Sequence, residues 1–146
     1  MEMPQKPQPL NTYLDQTFTC SCGKEHYAPL KVVRIGPSAL NDLPRIAREQ
    51  GFQSLYLVSD TTTYQIAGKR CLELLEAAGA KAKLIQLTHT GFDEATLGEL
   101  VIHMPADCDL VVAVGTGAIN DMVRFFSFKM GRPFFTVATA APMDGF

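Results

Sequence analysis

The stretch L-V-V-A-V-G-T-G-A-I-N-D, residues 110–121, decides the fold. It begins with an apolar run of strand length, and such a run is typical of a parallel strand that is buried on both faces. Gly115 and Gly117 interrupt the run, and an amphipathic stripe over residues 119–130 then predicts a helix. A buried strand, a glycine turn and a helix in this order indicate a βαβ architecture.

Strands and helices alternate on both sides of this stretch. Three further helices are predicted. The first is capped by Ser38 and ends at Gly51, and the other two cover residues 61–78 and 93–104. Helices of this length between strands predict an α/β, Rossmann-like, doubly wound and mainly parallel sheet. The predicted strands are residues 31–35, 55–59, 83–87, 110–114 and 134–138.

Each predicted helix has an apolar face that we expect to be buried. In chain order these faces are Leu40, Leu43, Ile46 and Ala47; Ile66, Leu72, Leu75 and Ala78; Leu97, Leu100 and Val101; and Ile119, Met122, Val123, Phe126 and Met130.

The beginning of the chain differs from this pattern. Residues 1–12 carry Pro4, Pro7 and Pro9, so we expect a flexible lead-in before a domain of residues 13–146. Residues 17–30 predict a small β-hairpin with its turn at residues 21–24.

The hairpin carries the motif C-x-C-G-x-x-H at Cys20, Cys22 and His26. Two thiolates and an imidazole can bind zinc, but a closed structural site needs a fourth ligand, and this spacing is not that of common zinc knuckles. We therefore interpret the thiols as incidental and predict no metal ligand in this chain.

Composition excludes several classes of protein. The 146 residues predict one domain, and 13 Lys and Arg against 15 Asp and Glu give a net charge of −2, which disfavours a nucleic-acid partner. No apolar run is long enough to span a membrane, and we find no signal peptide. Four irregularly spaced cysteines favour a reducing cytoplasm.

Ligands of a doubly wound sheet bind beyond the carboxyl ends of its strands. The candidate loops therefore begin at Asp60, Gly115 and Thr139. Glycines before a helix N-terminus favour an anion such as a phosphate, although a tight turn alone also needs glycine. Asp60 either accepts hydrogen bonds from ribose hydroxyls or caps the helix that starts near Thr61, and the sequence leaves both roles open.

Two of these loops together resemble a known family. The segments G-T-G-A-I-N-D at residues 115–121 and T-A-A-P-M-D-G-F at residues 139–146 are similar to those of sn-glycerol-1-phosphate dehydrogenases. This family is related to iron-containing alcohol dehydrogenases, glycerol dehydrogenase and 3-dehydroquinate synthase. The cysteine hairpin, the strand ending in Asp60 and the A-G-K-R segment at residues 67–70 support the resemblance.

The resemblance implies NAD or NADP as the cofactor. Asp60 would bind the adenosine ribose, and Asp144 would bind the hydroxyls of a phosphorylated triose or glycerol. The pyrophosphate would lie against Gly115, Thr116, Gly117, Ala118, Ile119, Asn120 and Asp121, and the nicotinamide side against Thr139, Ala140, Ala141 and Pro142.

The resemblance also implies reduction of dihydroxyacetone phosphate to sn-glycerol 1-phosphate, with a divalent metal, zinc or nickel, polarising the carbonyl. The family's metal ligands belong to a helical second domain that follows the last loop. We therefore expect this chain to be the N-terminal nucleotide-binding part and to be inactive alone.

Two alternatives remain. One is a non-catalytic nucleotide-binding or interaction module, in which Phe134, Phe135 and Phe146 would favour a homo-oligomer. The other is a fragment of a dehydroquinate-synthase-like lyase, which the M-D-G motif at residues 143–145 disfavours.

Overall fold

The computed structural model describes residues 12–89 and 91–140, without the side chain of Ala28. The chain divides into a hairpin unit, Met1–Pro37, and a sheet unit, Ser38–Phe146. Apart from Thr12, the predicted flexible lead-in lies outside the described residues. Among the described residues, no helix is long and apolar enough to cross a membrane.

The hairpin unit contains the predicted hairpin. Strand β1 (Gln16–Thr19) pairs antiparallel with β2 (Glu25–Ala28), and Phe18 lies opposite His26. The strand predicted at residues 31–35 is wrong, because this segment has no regular structure and Ile35 is 86 % exposed. β-Branched residues favour strands where a sheet surface is available to pack against, and here the apolar run has none.

The sheet unit is built on four parallel strands in the order β4-β3-β5-β6. They are β3 (Ser54–Asp60), β4 (Lys81–Leu87), β5 (Leu110–Gly115) and β6 (Phe134–Ala138). All six residues of β5 are buried. The structure therefore confirms the buried parallel strand predicted from the opening stretch.

Helices cover both faces of this sheet. Before β3, a 3-10 turn (Ala39–Asp42) leads into α1 (Leu43–Glu49). After β3 come α2 (Thr61–Thr63), a π-helical turn (Tyr64–Gly68) and α3 (Lys69–Ala77). Helix α4 (Glu94–His103) follows β4, and α5 (Gly117–Met130) follows β5. Tyr56 and Val58 of β3 face α4 and α5, whereas Leu55 and Leu57 face α1 and α3. Alternate residues of a strand point to opposite faces, so this arrangement confirms the doubly wound fold.

Two predicted helix faces need correction. On the helical segment after β3, Leu75 is buried as predicted, but Ile66 is 61 % exposed and Ala78 is also exposed. Ala67 and Cys71 are buried instead and, with Leu75, recur every four residues, whereas Ile66 lies nine residues before Leu75 and so on the opposite side of a regular helix. The other predicted face is that of α4, where Leu100 is buried but Val101 is 50 % exposed.

The start of the first helix also differs from the prediction. Ser38 makes no side-chain capping hydrogen bond, and the 3-10 turn separates it from α1. The faces predicted for α1 and α5 otherwise hold, since Leu43 and Ala47 are buried, as are the four leading residues of the α5 stripe.

Candidate functional site

The carboxyl ends of β3 and β5 meet at the switch point of the sheet. The chain leaves β3 for β4 on one side and leaves β5 for β6 on the other side. Asp60 ends β3 and Gly115 ends β5, so both lie at the crevice where doubly wound folds bind their ligands. Two of the three predicted loops therefore begin at the same edge of the sheet, and their ligand roles stay predictions.

The third predicted loop joins the same edge. Gly115 pairs with Ala138 at the end of β6, and the Thr139 N–H donates to the Gly115 carbonyl at 3.1 Å. Neighbouring strands lie about 5 Å apart, so the ends of β3, β5 and β6 span roughly 10 Å. The structure thus brings Asp60, the Gly115 turn and Thr139 into one row.

Among the described residues, the N-terminus of α5 has no side-chain cap. Thr116 is the N-cap residue, and its side chain makes no capping hydrogen bond. By contrast, Asp60 caps α2 and Asp93 caps α4, each through a carboxylate that accepts a backbone N–H. The first N–H groups of α5 are therefore available to an anion, and the helix dipole favours negative charge at this end.

The two glycines of the turn serve different needs. A Cβ on Gly115 would lie 2.6 Å from Ile119 Cδ1 and 2.9 Å from Ile119 Cβ, so glycine is required for α5 to pack against β5. A Cβ on Gly117 would meet no described atom within 4 Å, and Gly117 does not have a positive φ. Among the described residues, neither packing nor a left-handed backbone conformation requires glycine at position 117.

Asp60 takes the capping role that the sequence left open. Its Oδ1 accepts the Thr63 N–H at 2.7 Å, while Thr63 Oγ1 accepts the Asp60 N–H at 3.0 Å. This reciprocal capping box holds the carboxylate in a fixed orientation at the end of β3. A carboxylate has two oxygens, so capping through Oδ1 is compatible with a second role for Oδ2.

The side chains after Gly117 face in several directions. Ile119 is buried in the core, and Asn120 is 1 % exposed, with its Oδ1 accepting the Thr136 hydroxyl at 2.6 Å. Asp121 is exposed and borders an open groove that also contains Phe125. The Asn120 N–H donates to the Thr116 carbonyl at 3.0 Å, so of these residues only Ala118 and Ile119 have a backbone N–H placed for an anion at the helix N-terminus.

The last predicted loop is only partly described. The Thr139 hydroxyl is buried, and the described residues give it no hydrogen-bond partner. Such an atom is a candidate for contact with a bound ligand. Ala140 is half-buried beside it, whereas Ala141, Pro142 and Asp144 lie outside the described residues, and their roles stay predictions.

Comparison with known proteins supports this topology. A family model described as iron-containing alcohol dehydrogenase matches residues 34–146. The chain belongs to this family.

Among solved structures, glycerol dehydrogenase from Schizosaccharomyces pombe has a TM-score of 0.66 at 17 % identity, over 71 % of this chain and 26 % of that one. NADH-dependent butanol dehydrogenase A from Thermotoga maritima has a TM-score of 0.64 at 12 % identity, over 73 % and 32 % of the two chains. These likenesses confirm the Rossmann-like fold.

Curated relatives are more similar in sequence. The glycerol-1-phosphate dehydrogenase (NAD(P)+) of Halalkalibacterium halodurans is 36 % identical over 133 residues, which are 87 % of this chain and 33 % of that protein. The protein of the same name from Bacillus licheniformis is 37 % identical over 145 residues, or 94 % and 36 % of the two chains. The resemblance to this group is confirmed, and the chain spans about a third of the length of these relatives.

The iron-containing family name raises the question of metal ligands. At the carboxyl edge of the sheet, the described residues bring together no group of three His, Cys, Asp or Glu side chains that could hold a metal ion. His89 Nε2 lies 2.9 Å from Thr96 Oγ1 and 3.5 Å from Asp93, so this histidine belongs to the cap of α4. His103 lies in the last turn of the same helix. The described part of the sheet unit does not fit a metal centre.

The hairpin unit does contain such a group. The ligand atoms of Cys20, Cys22 and His26 all lie within 4.8 Å of one another. Hydrogen bonds from Cys22 lower the pKa of the Cys20 thiol. The backbone of Cys22 has the larger effect and its thiol the smaller one. The motif C-x-C-G-x-x-H was the sequence signal for this cluster, and the structure brings together residues that we interpreted as incidental.

Proposed function

We propose that this chain is the cofactor-binding part of an NAD(P)-dependent and metal-dependent glycerol-1-phosphate dehydrogenase, which reduces dihydroxyacetone phosphate to sn-glycerol 1-phosphate. The observation that carries the proposal is the uncapped N-terminus of α5 at the switch point, with open space where Gly117 lacks a side chain. The names of the curated relatives support this substrate and this cofactor class.

The turn at residues 115–121 would bind the pyrophosphate. The N–H groups of Gly117, Ala118 and Ile119 would donate to phosphate oxygens at the positive end of the α5 dipole. Thr116 is exposed next to them and would add a hydroxyl donor. The side chains of Ile119 and Asn120 would stabilise the turn, since both are buried.

The flanking strands would bind the two ends of the dinucleotide. Asp60 would accept hydrogen bonds from the adenosine ribose through Oδ2 while Oδ1 continues to cap α2. The Thr139 hydroxyl would bind the nicotinamide side, together with Ala140, Ala141 and Pro142. Asp144 would bind the hydroxyls of the phosphorylated triose.

The chain would not complete the reaction by itself. NAD(P)H supplies a hydride when bound, and in the full-length enzyme a divalent metal, zinc or nickel, would polarise the substrate carbonyl. The described part of the sheet unit offers no cluster of His, Cys, Asp or Glu that would bind this metal.

Coenzyme titration tests this proposal. Calorimetry or NADH fluorescence should show saturable binding of NADH or NADPH in the millimolar range or tighter. Gly117→Ala should weaken binding by about tenfold or more, because the added Cβ would keep the phosphate away from the backbone N–H groups, and a lost charge-assisted hydrogen bond costs about 1.5–3 kcal/mol. Gly98→Ala is the matched control, since a Cβ at Gly98 in α4 also meets no described atom within 4 Å.

The outcomes separate binding from folding. Both variants should keep the wild-type helix content and melting temperature or exceed it, since alanine is the better helix former. No saturable signal with either coenzyme, or wild-type affinity in Gly117→Ala, would contradict the proposed site. Turnover of NAD(P)H with dihydroxyacetone phosphate and added zinc or nickel would contradict the proposal that the chain is inactive alone.

A second proposal concerns self-association. Phe128 is 80 % exposed and borders an open groove with Phe125 and Phe134 on the outer side of α5. Phe135 does not contribute, because it packs edge-to-face on Phe52 at 5.9 Å, and Phe146 lies outside the described residues. We propose a homo-oligomer through this groove, and a concentration-independent monomer in light scattering would reject it.

The compartment is also a proposal. Cys71 and Cys108 are buried free thiols of the sheet unit. We propose the cytoplasm, because thiols stay reduced there.

A further inference from the structure

The hairpin unit has almost nothing apolar to hold it together. Apart from Ala28, whose side chain is not described, none of residues 12–37 is buried. All four residues of β1 are exposed, and Tyr27 of β2 is 58 % exposed. An isolated two-stranded hairpin is marginally stable in water, so a bound metal ion would add stability to this one.

Three soft or borderline ligands converge at the end of this hairpin. Cys22 Sγ lies 3.1 Å from His26 Nε2, and the Cys20 sulfur is within 4.8 Å of both atoms. A tetrahedral zinc ion with bonds of about 2.3 Å to sulfur and 2.0 Å to nitrogen places such ligand atoms roughly 3.6–3.8 Å apart. Shifts of up to about one ångström in these side chains would therefore create the geometry of a metal site.

The turn holds these ligands in place. The Cys20 N–H donates to the Lys24 carbonyl at 2.9 Å, and the Gly23 N–H donates to the Cys20 carbonyl at 3.0 Å. Gly23 has a φ of 81°, a left-handed conformation that favours glycine and lets the chain reverse immediately after Cys22. The spacing of the motif is therefore matched to the turn.

His26 is positioned by the opposite strand. Phe18 is its register partner, and the two rings stack with centroids 5.9 Å apart and an interplanar angle of 27°. This contact fixes the imidazole plane while Nε2 faces Cys22. Contacts that orient a histidine ring are a regular feature of metal sites.

We propose that Cys20, Cys22 and His26 bind one zinc ion, or a similarly thiophilic divalent cation, and that this ion holds the hairpin closed. Two thiolates and an imidazole favour zinc over magnesium or calcium, which prefer oxygen ligands. The described residues supply three ligands, so the site would be an open one, with water in the fourth position, and not a closed structural site with four protein ligands. The site belongs to the hairpin unit, whereas the proposed coenzyme site belongs to the sheet unit.

Metal titration of the whole chain tests this inference. The protein is stripped with a chelator, kept reduced with a phosphine and titrated with zinc, and bound metal is measured after gel filtration. One zinc per chain is expected. Cobalt should give the intense near-ultraviolet thiolate band and the visible bands of a tetrahedral site.

Variants then locate the metal. Cys22→Ser and His26→Gln should each weaken zinc binding by about a hundredfold or more, since even residues behind the ligands change affinity 10–100-fold. His103→Gln is the matched control, because His103 is an exposed histidine of the sheet unit and should leave the zinc content unchanged. Amide hydrogen exchange supplies a second readout, in which zinc should slow exchange in β1 and β2 but not in β5.

Several results would overturn the inference. These are a metal-free protein at micromolar zinc, unchanged zinc binding in Cys22→Ser and His26→Gln, or one zinc shared by two chains. Unchanged exchange in the hairpin on loading with zinc would reject the stabilising role. Because coenzyme titration reports on the sheet unit, failure of the zinc site leaves the proposed function standing, and the reverse also holds.

Discussion

Replacing Gly115 by alanine should destabilise the sheet unit by overpacking. The added Cβ would lie 2.9 Å from Ile119 Cβ and 2.6 Å from Ile119 Cδ1, whereas carbon atoms prefer separations of about 3.5–4.0 Å. Ile119 is β-branched and sits in the first turn of α5, so its rotamer is restricted and its Cβ moves only with the helix. The N-terminus of α5 would have to move away from β5 by about half an ångström.

The expected loss follows from two opposing effects. Overpacking of this kind costs about 1–3 kcal/mol, and replacing glycine by alanine restrains the unfolded chain, which offsets about 0.4–1 kcal/mol. We therefore expect the free energy of unfolding to fall by about 1–2 kcal/mol. In urea with an m value of about 2 kcal/mol/M, the midpoint would fall by about 0.5–1 M.

Urea denaturation followed by circular dichroism measures this loss. Gly98→Ala serves as the control, because its Cβ enters open space within α4 and should stabilise the protein by up to about 1 kcal/mol. Ile119→Val removes Cδ1 and costs about 0.5–1.5 kcal/mol alone, but the double variant should lose less than the sum of the two single losses. Wild-type stability in Gly115→Ala, or strict additivity in the double variant, would refute the assignment of Gly115 to packing.

Two further predictions concern polar contacts of the sheet unit. Thr136→Val removes the donor of the 2.6 Å hydrogen bond to the buried Asn120 and should cost about 1–2 kcal/mol in urea denaturation; an unchanged midpoint would contradict this. The Asp93 carboxylate accepts hydrogen bonds from the backbone N–H and, with a smaller effect, from the hydroxyl of Thr96, and it also faces His89. These contacts lower the pKa of the Asp93 carboxyl below the usual 3.8. The stability that these contacts add is fully present above pH 3.8 and is lost as the pH falls towards the lower pKa of the folded state. Asp93→Asn should therefore make the melting temperature depend less on pH between about pH 5 and pH 3. An unchanged slope of melting temperature against pH would reject this linkage.

The parallel sheet was predictable from the sequence because its signals are local. The run at Leu110–Gly115 is apolar at nearly every position, as expected of a strand that is buried on both faces of the sheet. The stripe of α5 repeats with the helical period, so Ile119 and Phe126 were expected in the core and lie there. The edge at which Asp60, Gly115 and Thr139 meet then followed from parallel pairing, which places the ends of neighbouring strands together.

Predictions of a strand and of the buried face of a helix failed. Residues 31–35 have the composition of a strand, but a strand also needs a partner, and Ile35 remains exposed. After β3, Ile66 and Leu75 are nine residues apart, which places them on opposite sides of a regular helix, so Ala67 and Cys71 are buried with Leu75 instead of Ile66.

The sequence by itself determined the order of strands and helices, the hairpin and the loops that carry the candidate site, because short-range periodicity and glycine placement set these features. Only the tertiary structure decided that Gly115 serves packing while Gly117 faces open space, and that Asn120 bonds to Thr136 on another element. It also brought Cys20, Cys22 and His26 together across the hairpin turn. These features depend on distances between atoms of different elements or strands, which become defined only when the elements pack.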